Sequence, residues 1–245
     1  MPCGTTLYED CGVRSRTMKH KISVIIPAFN EASIINQTIG NVLGLPYDGE
    51  IEIIVIDGSP YSETLSSINE KNILKISGKK GRSLQMNEGS LNAHGEILLF
   101  LHADTELPLN ALKMISSVME KGDFVAGAFA LGINSSRPAF RLVELGASLR
   151  SRLTKIPYGD QAIFIWKDYF QANGGFKEIP LMEDVELMQR IKKAGDKIHI
   201  IPEKVRTSPR RWEKEGVLFC TLRNWALITL YSFGVPPERI VKFYK

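Results

Sequence analysis

The sequence predicts an α/β fold built around a mostly parallel central sheet with helices on both faces. Short apolar runs alternate with helical segments from residue 22 to residue 106, which is the pattern of a doubly wound sheet. Residues 97–101 contain no polar side chain, as is typical of a strand buried on both faces. The chain has 245 residues, of which 44% are hydrophobic and 24% charged, and it can bury a sizeable core.

The first half of the chain is expected to contain four strands and four helices. Residues 22–26 predict the first strand, which Pro27 ends, and Ser33 is expected to cap a helix over residues 34–43. The other elements expected in this half are strands at residues 51–56, 73–76 and 97–101 and helices at residues 62–70, 83–94 and 109–120. Gly95 is expected to end the third helix.

The second half of the chain is less regular. Its expected elements are strands at residues 124–131, 162–166 and 198–201 and helices at residues 138–153 and 183–194. The first of these helices is expected to be amphipathic, because leucines recur at helical spacing at positions 142, 145, 149 and 153. The second helix has acids in its first turn and bases in its last, which suits the helix dipole. Residues 206–214 are expected to form a basic loop, followed by two apolar helices.

Polar side chains follow three of the predicted strands at the point where each strand ends. Glu31 follows the first strand, Asp57 the second, and His102 and Asp104 the strand at residues 97–101. Ligands of open α/β sheets bind beyond the carboxyl ends of the strands, so these side chains are expected to line one site. His102 and Asp104 stand two positions apart and are expected to face one ligand together, and a divalent cation suits Asp104. The alternative is that Asp104 only caps the next helix.

Composition and charge exclude several classes of function. A net charge of +4 is too small to argue for nucleic acid, although it permits anionic ligands or lipid headgroups. Three widely separated cysteines suit neither a disulfide framework nor a zinc site, which favours a reducing, cytoplasmic location. No apolar run is long enough to cross a bilayer. Residues 1–20 lack the apolar segment of a signal peptide and are expected to be a polar, disordered extension.

Seven short motifs follow one another along residues 21–212. They are Pro27-Ala28-Phe29-Asn30-Glu31, Ile56-Asp57-Gly58-Ser59, Gly81-Arg82 with Asn87 and Gly89, His102-Ala103-Asp104, Gly174-Gly175-Phe176, Glu183-Asp184 and Arg211-Trp212. Each motif alone is weak, but their order resembles that of the family-2 inverting nucleotide-sugar glycosyltransferases with the GT-A fold. The resemblance implies one domain over residues 21–245, with a nucleotide-binding half (21–106), an acceptor half (107–212) and C-terminal helices (213–245).

The resemblance also implies roles for the matching residues. Pro27, Glu31 and Asp57 would line the nucleoside pocket, and Arg82 would face the base or the diphosphate. Asp104 would ligate Mn²⁺ or Mg²⁺ on the diphosphate of the donor, for which the family suggests a UDP-sugar.

In the acidic pair that opens helix 183–194, Asp184 stands where the family carries its catalytic base. The alternative is that Glu183 and Asp184 only suit the positive end of the helix dipole.

The sequence departs from the family pattern at two positions. His102 replaces the usual first aspartate of the Asp-x-Asp motif, and a variant branch of the family resembles this His-Ala-Asp form. Ser208 stands where processive members carry the glutamine of Gln-x-x-Arg-Trp. A processive polysaccharide synthase is therefore not expected.

The chemistry of sugar transfer needs the residue types that these motifs supply. A diphosphate leaving group gains negative charge, which a divalent cation and the bases Arg82, Arg210 and Arg211 would stabilise. A carboxylate such as Asp184 or Glu183 would remove the acceptor proton as the acceptor attacks. Trp212 beside the two arginines suggests a loop that closes on the ligand.

Two other classes of function remain open from the sequence. A sugar-1-phosphate nucleotidyltransferase would share the nucleotide-binding half, although it needs a glycine-rich turn after the first strand. A non-catalytic nucleotide-sugar-binding protein is the second alternative, and the retained acidic motifs argue against it.

The C-terminal segment is the part of the sequence that bears on the chemical class of the acceptor. Residues 217–233 are apolar on nearly every side and follow the basic residues 206–214. Such a segment suits either a helix packed under the sheet or a helix that contacts a membrane surface. The second reading predicts a peripheral membrane contact and a lipid-linked or amphipathic acceptor.

Overall fold

The computed structural model describes residues 19–244. The elements of its first half lie close to the expected ones: strands β1 (Ile22–Ala28), β2 (Ile51–Asp57), β3 (Leu74–Ser77), β4 (Ile97–Phe100) and β5 (Thr105–Glu106), and helices α1 (Ile35–Leu43), α2 (Glu63–Ser67), α3 (Arg82–Asn92) and α4 (Ala111–Glu120). The expectation that Pro27 ends the first strand is wrong: β1 pairs with β2 through Pro27 to Ala28, although its pairing with β4 stops at Ile25.

The second half contains strands β6 (Ala126–Ile133), β7 (Phe164–Trp166) and β8 (Ile198–Thr207) and helices α5 (Pro138–Thr154), α6 (Lys167–Ala172), α7 (Glu183–Lys193), α8 (Arg210–Glu215), α9 (Val217–Ser232) and α10 (Pro237–Ile240). Short 3₁₀ turns lie at Gly159–Gln161 and Val241–Phe243. The prediction of a basic loop over residues 206–214 is wrong. β8 runs on to Thr207, where it pairs with β6 and β5, and Arg210 begins helix α8.

One eight-stranded sheet runs through the described residues in the order β3-β2-β1-β4-β7-β6-β8-β5. Its first four strands are parallel, β7 runs antiparallel to β4 and β6, β6 and β8 are parallel, and the short β5 is antiparallel to β8. The predicted mostly parallel sheet is therefore confirmed. Antiparallel β7 returns the chain beside β4, which brings the turn at Gly159–Gln161 towards the end of β4.

Two apolar layers hold the helices against the sheet. Alternate residues of β1 divide between them: Val24 faces helices α1 and α4, whereas Ile25 faces α3 and the layer that includes α7. A third, smaller cluster joins the start of α7 to α9 and α10 through Val185, Leu227 and Ile240. The C-terminal helices are thus fixed beside the start of α7, at the carboxyl edge of the sheet.

Two expected helix signals have other roles. Ser33 does not cap α1, which begins after Ile34 without a side-chain cap. Gly95 does not end α3, which ends at Asn92. A Cβ on Gly95 would lie 2.5 Å from Oγ of Ser23, so glycine is needed there for the close approach of the chain to β1. Its N–H donates to the same hydroxyl at 2.8 Å.

The alternative role of Asp104 as a helix cap is also wrong. Asn110 occupies the position before α4, and the carboxylate of Asp104 lies instead 3.4 Å from the guanidinium of Arg210. The side chain of Asp104 therefore does not cap helix α4.

The apolar faces of α5 and α9 are largely exposed. Four leucines of α5 are each more than half exposed: Leu142, Leu145, Leu149 and Leu153. In α9, Cys220 and Leu227 are buried, whereas Phe219 and Trp225 are exposed. The expectation of a C-terminal helix packed under the sheet is therefore wrong for α9.

Most of the predicted polar extension, residues 1–18, lies outside the described residues. His20, the last residue of the predicted extension, is described. It is buried, and its ring packs against that of Trp166 with ring centres 5.0 Å apart. Between residues 19 and 244, no helix combines the length and the apolar character that a bilayer crossing requires.

Candidate active site

A cleft of about 490 Å³ opens at the carboxyl ends of β1 and β4. Nine of the sequence-predicted site residues line it: Pro27, Glu31, Arg82, His102, Asp104, Glu183, Asp184, Arg211 and Trp212. Arg210 lies beside the cleft and contacts two of them. Strands β1, β3 and β4 are parallel and end at this edge of the sheet, which places Glu31, Arg82 and the His-Ala-Asp segment there. The acidic pair reaches the same edge at the start of helix α7, where Asp184 bonds to the turn at Gly159.

Asp57 is the predicted residue that the structure does not bring into the cleft. Its side chain is fully buried, and its two carboxylate oxygens accept hydrogen bonds from the backbone N–H groups of Ser59, at 2.9 Å, and Thr64, at 3.2 Å. The carboxylate thus fixes the turn between β2 and α2. A contact between Asp57 and a nucleoside stays a prediction.

Gln85 fixes the side of the cleft formed by the ends of β1 and β2, and it was not expected from the sequence. Its side-chain amide donates to the backbone carbonyls of Ala28, at 2.6 Å, and Ile56, at 2.7 Å. These bonds tie helix α3 to the ends of β1 and β2, and thereby position Arg82 at the start of the same helix. The sequence signal was weak, since a glutamine in a helix is usually a solvent-facing residue.

His102 is held neutral inside the cleft. Burial and the nearby positive charge of Arg82 lower the pKa of its imidazole to about 3. Its Nε2 atom is buried and makes no hydrogen bond in the described part of the chain. A Cβ placed on Gly159 would lie 3.0 Å from this nitrogen, so glycine leaves the space in front of it open.

Asp104 belongs to an ionic cluster at the cleft. The guanidinium of Arg210 lies 3.4 Å from Asp104 and 3.3 Å from Glu31. Burial raises the pKa of Glu31, although the charge of Arg210 opposes that rise. The backbone carbonyl of Asp104 accepts from the N–H of Ser208 at 3.1 Å, which joins the His-Ala-Asp segment to the start of α8.

Helix α7 presents its acidic pair at the floor of the cleft. Met182, which precedes the helix, adopts φ of 69°, and this left-handed turn starts the helix at Glu183. The side chain of Glu183 is 3% exposed and lies 3.5 Å from the guanidinium of Arg82. Burial and the neighbouring charge of Asp184 raise the pKa of Glu183.

Asp184 reaches across to the turn at Gly159. One carboxylate oxygen, Oδ2, accepts a hydrogen bond from the N–H of Gly159 at 2.5 Å, and the other, Oδ1, accepts from the N–H of Val185 at 2.7 Å. A Cβ on Gly159 would lie 3.4 Å from Oδ2 of Asp184 as well as 3.0 Å from His102. The His-Ala-Asp segment and the acidic pair therefore meet on either side of one glycine.

Asp160 is a cleft carboxylate that the sequence analysis did not single out. Burial raises its pKa to about 6, with Asp184 adding to the rise and Arg150 opposing it. Its Oδ1 atom is buried without a hydrogen-bond partner among residues 19–244. The neighbouring Gln161 fixes the turn, because its side-chain amide donates to the carbonyl of Phe129 at 2.7 Å. The sequence signal that could have identified Asp160 is its position, with Gln161, just before an apolar strand.

The outer wall of the cleft is formed by helix α8 and the end of the described chain. The guanidinium of Arg211 stacks on the ring of Tyr244 at 3.8 Å from its centre. Trp212 packs edge-on against Phe140 of α5, with ring centres 6.1 Å apart. The arginine and tryptophan predicted on a loop therefore lie on a helix that joins α5 to the cleft.

A divalent cation fits this cleft only if the ligand supplies part of its coordination. No group of three or more His, Cys, Asp or Glu side chains is arranged to hold a metal within residues 19–244. Asp104 offers one accessible carboxylate, and His102 offers one neutral ring nitrogen without a partner. Magnesium-type sites commonly use one or two protein carboxylates with phosphate oxygens and water, and this donor set suits such a site.

The comparison with protein families identifies the chain. Residues 23–174 match the model of Glycosyl transferase family 2. The chain belongs to this family. The family assignment supports a transferase, as expected from the order of the motifs, and it argues against the nucleotidyltransferase alternative.

Curated relatives of this family-2 chain match it at moderate identity. It is 26% identical over 220 residues to the probable glycosyltransferase YdaM of Bacillus subtilis (strain 168), covering 80% of this chain and 51% of that protein. It is 31% identical over 111 residues to the GalNAc(5)-diNAcBac-PP-undecaprenol beta-1,3-glucosyltransferase of Campylobacter jejuni, covering 42% of this chain and 35% of that protein. The chain thus spans about half the length of the first relative and about a third of the second.

Two solved structures share the fold of this chain. The mannosyltransferase PcManGT from Pyrobaculum calidifontis, in complex with GDP-Man and Mn²⁺, has a TM-score of 0.61 at 20% identity over 78% of this chain and 57% of that chain. S. aureus TarS 1–349, in complex with UDP-GlcNAc, has a TM-score of 0.60 at 18% identity over 77% of this chain and 58% of that chain. These similarities confirm the expected GT-A fold. Membership of a His-Ala-Asp branch stays a prediction.

Proposed function

We propose that this chain is a metal-dependent inverting glycosyltransferase that moves a sugar from a nucleoside-diphosphate sugar, most simply a UDP-sugar, to a lipid-linked or amphipathic acceptor. The observation that carries the proposal is the meeting of His102 and Asp184 across Gly159. It puts the segment expected to hold the diphosphate beside the carboxylate expected to take a proton. The solved complexes with GDP-Man and UDP-GlcNAc support a nucleotide-sugar donor.

In this proposal, the donor binds along the carboxyl edge of β1 and β4. Asp104 would hold Mn²⁺ or Mg²⁺ at the diphosphate of the donor. When bound, the cation stabilises the negative charge of the departing nucleoside diphosphate. Arg82 and Arg210 lie at the cleft with their guanidinium groups already placed beside carboxylates, and they add fixed positive charge for the same leaving group.

Asp184 is the general base of the proposed reaction. Its carboxylate is held by the N–H groups of Gly159 and Val185, which fix its orientation and leave lone pairs for a third hydrogen bond. It takes the proton of the acceptor hydroxyl as that oxygen forms a bond to the anomeric carbon. The bond from that carbon to the diphosphate oxygen breaks in the same displacement, so the anomeric configuration inverts and no covalent intermediate forms.

The acceptor enters between α7, α9 and the end of the described chain. Leu181, Leu227 and Ile228 give this part of the cleft an apolar wall, unlike the ionic side at Asp104. An apolar entrance next to a polar reaction centre suits an amphipathic acceptor. The lipid-linked acceptor in the name of the Campylobacter relative supports the same class.

Incubation with a panel of nucleotide sugars tests the proposed donor. Each nucleotide sugar is added at about 100 times its Kd with MnCl₂, and the thermal unfolding midpoint is measured. A bound donor stabilises the fold by about 2.7 kcal/mol, or roughly 5–10 °C for a chain of this length. Slow transfer of the sugar to water, measured as release of nucleoside diphosphate, then distinguishes a transferase from a non-catalytic binding protein. A panel without any shift, with the fold intact, contradicts the proposal.

A further inference from the structure

We propose that the exposed apolar faces of α5 and α9 form one surface that docks onto an anionic lipid bilayer. We call it the α5/α9 surface. Its large apolar members are Leu142, Leu145, Leu149, Leu153, Leu218, Phe219, Leu222 and Trp225. The docking deepens the proposed function, because it identifies the partner that would present an amphipathic acceptor to the cleft.

The α5 part of the surface is a single stripe. Its four leucines, at positions 142, 145, 149 and 153, are spaced by three or four residues and therefore lie on one side of the helix. The buried side chains of the same helix, Phe140, Glu144 and Ser151, lie on other sides of the helix. A soluble helix normally turns such a stripe towards the core, whereas here the stripe faces outwards.

The α9 part of the surface continues this stripe. Cys220 and Leu227 point inwards, and the outward side carries Leu222 and Trp225, which are both more than half exposed. The two helices touch, because a Cβ on Gly146 of α5 would lie 3.7 Å from the indole ring of Trp225. The exposed apolar side chains therefore form one contiguous patch, larger than the scattered apolar residues of an ordinary surface.

The two segments that contain helices α5 and α9 are net basic. Residues 134–155 and 206–244 hold twelve lysines and arginines against four glutamates, and two of the twelve, Arg210 and Arg211, lie at the cleft. The whole chain has a net charge of only +4, so the remainder of the protein is net acidic. One of the four glutamates, Glu144, is buried in ion pairs with Arg141 and Lys204. Apolar area with aromatic side chains and surrounding cations is the composition of surfaces that bind anionic membranes.

The charge also decides between a bilayer and a second copy of the chain. Two copies joined through this surface would bring their excess cations together and repel each other. Anionic headgroups would instead neutralise the same cations, at about 1 kcal/mol for each Lys or Arg near the membrane. The bilayer is therefore the occupant that suits both the apolar patch and the net positive charge of the segments that carry it.

The surface lies next to the cleft. Helix α9 carries Trp225 on its outward side and Leu227 and Ile228 on the cleft wall. Helix α5 contacts Trp212 of the cleft through Phe140. A membrane against the α5/α9 surface would thus meet the apolar entrance of the cleft.

Sedimentation with vesicles tests this proposal. The probes are vesicles of phosphatidylcholine alone and of phosphatidylcholine with phosphatidylglycerol, at low and high salt. Wild-type protein is expected in the pellet with the anionic vesicles, several-fold less at high salt, and in the supernatant with the neutral ones. The variant Leu145→Ser/Leu149→Ser is expected to lose most of the binding, because it removes the centre of the stripe at exposed positions.

Leu91→Ser on α3 is the matched control, since Leu91 is also more than half exposed but lies on another part of the fold. It should pellet like wild type, and circular dichroism should show the same fold for all three proteins. Wild-type protein that stays in the supernatant with anionic vesicles at low salt overturns the proposal. So does a dimer, measured by light scattering, that the double variant dissociates. Donor binding by thermal shift is measured separately, so that a failed donor test with intact vesicle binding refutes the proposed function alone.

Discussion

The guanidinium of Arg82 lies 3.5 Å from Oε1 of Glu183, and this contact separates the roles of two adjacent carboxylates. Glu183 is almost fully buried and faces a positive charge. Asp184, next in the chain, instead bonds to the backbone at Gly159. The first carboxylate therefore pairs with Arg82, whereas the second belongs to the residue that we propose as the general base. We expect substitutions of the two residues to have different effects.

Asp184→Asn is expected to lower turnover by about 10²–10⁴-fold with nearly unchanged donor affinity. The amide keeps the size of the side chain but does not accept a proton from the acceptor hydroxyl. Turnover is measured as nucleoside-diphosphate release, and donor affinity by calorimetry. Glu183→Gln is the matched comparison and should weaken donor binding, because it leaves Arg82 without its partner charge. Full activity of Asp184→Asn, with Glu183→Gln inactive but still binding donor, would move the base to Glu183.

Asp104→Ala is expected to abolish the increase in donor affinity that Mn²⁺ or Mg²⁺ produces. Asp104 offers the accessible carboxylate of the His-Ala-Asp segment, and the remaining ligands must come from the donor and water. Calorimetric titrations of wild type and variant, each with metal and with EDTA, measure the effect. Glu106→Ala, two residues on and outside the cleft lining, is the control. Equal donor affinity of wild type with metal and with EDTA would contradict a metal-dependent site.

Asp160→Asn is expected to stabilise the fold at pH 8 and to have little effect at pH 4. Burial raises the pKa of Asp160 from 3.8 to about 6, so the folded state holds this proton more tightly than the unfolded state. The ionised carboxylate therefore destabilises the fold above that pKa, and the penalty disappears as the pH falls from about 6 to below 3.8. Unfolding midpoints at several pH values measure the difference.

Asp123→Asn, at an exposed position, is the control for Asp160 and should show no such dependence on pH. A stabilisation by Asp160→Asn that is the same at pH 4 and pH 8 would show that removal of the charge is not its cause.

Glu144→Gln is expected to destabilise the protein by about 1.5–3 kcal/mol at pH 7, the usual worth of hydrogen bonds to a charged group. The carboxylate of Glu144 is buried, accepts from the N–H of Ile133 at 2.8 Å, and pairs with Arg141 and Lys204 at 2.7 Å each. Burial alone would raise its pKa, but Lys204 and the other partners lower it below 4.5. This stability is therefore present above pH 4.5 and is lost as the pH falls through the lowered value.

Urea unfolding at pH 7 and at low pH checks the prediction for Glu144, with Glu178→Gln at an exposed position as the control. A loss of stability that persists undiminished at low pH would indicate that packing, rather than the charge, accounts for the effect.

The elements of the sheet and most of the site could be predicted because their signals are local. An apolar run such as residues 97–101 contains enough information to place a strand, and polar residues at strand ends predict which edge binds a ligand. The antiparallel return of β7 was not predictable in this way. It depends on pairing between Leu98 and Ile165, which are far apart in the chain and have no pattern that identifies them as partners.

The sequence by itself determined the alternation of strands and helices, the order of the motifs and hence the family. Only the tertiary structure decided which side chains face the cleft. It turned Asp57 inwards to backbone N–H groups, brought Asp160 to the acidic pair, and left the stripe at Leu145 and Leu149 exposed. The physical reason is that burial and pKa depend on neighbours supplied by distant segments, whereas helix and strand patterns depend on residues only a few positions apart.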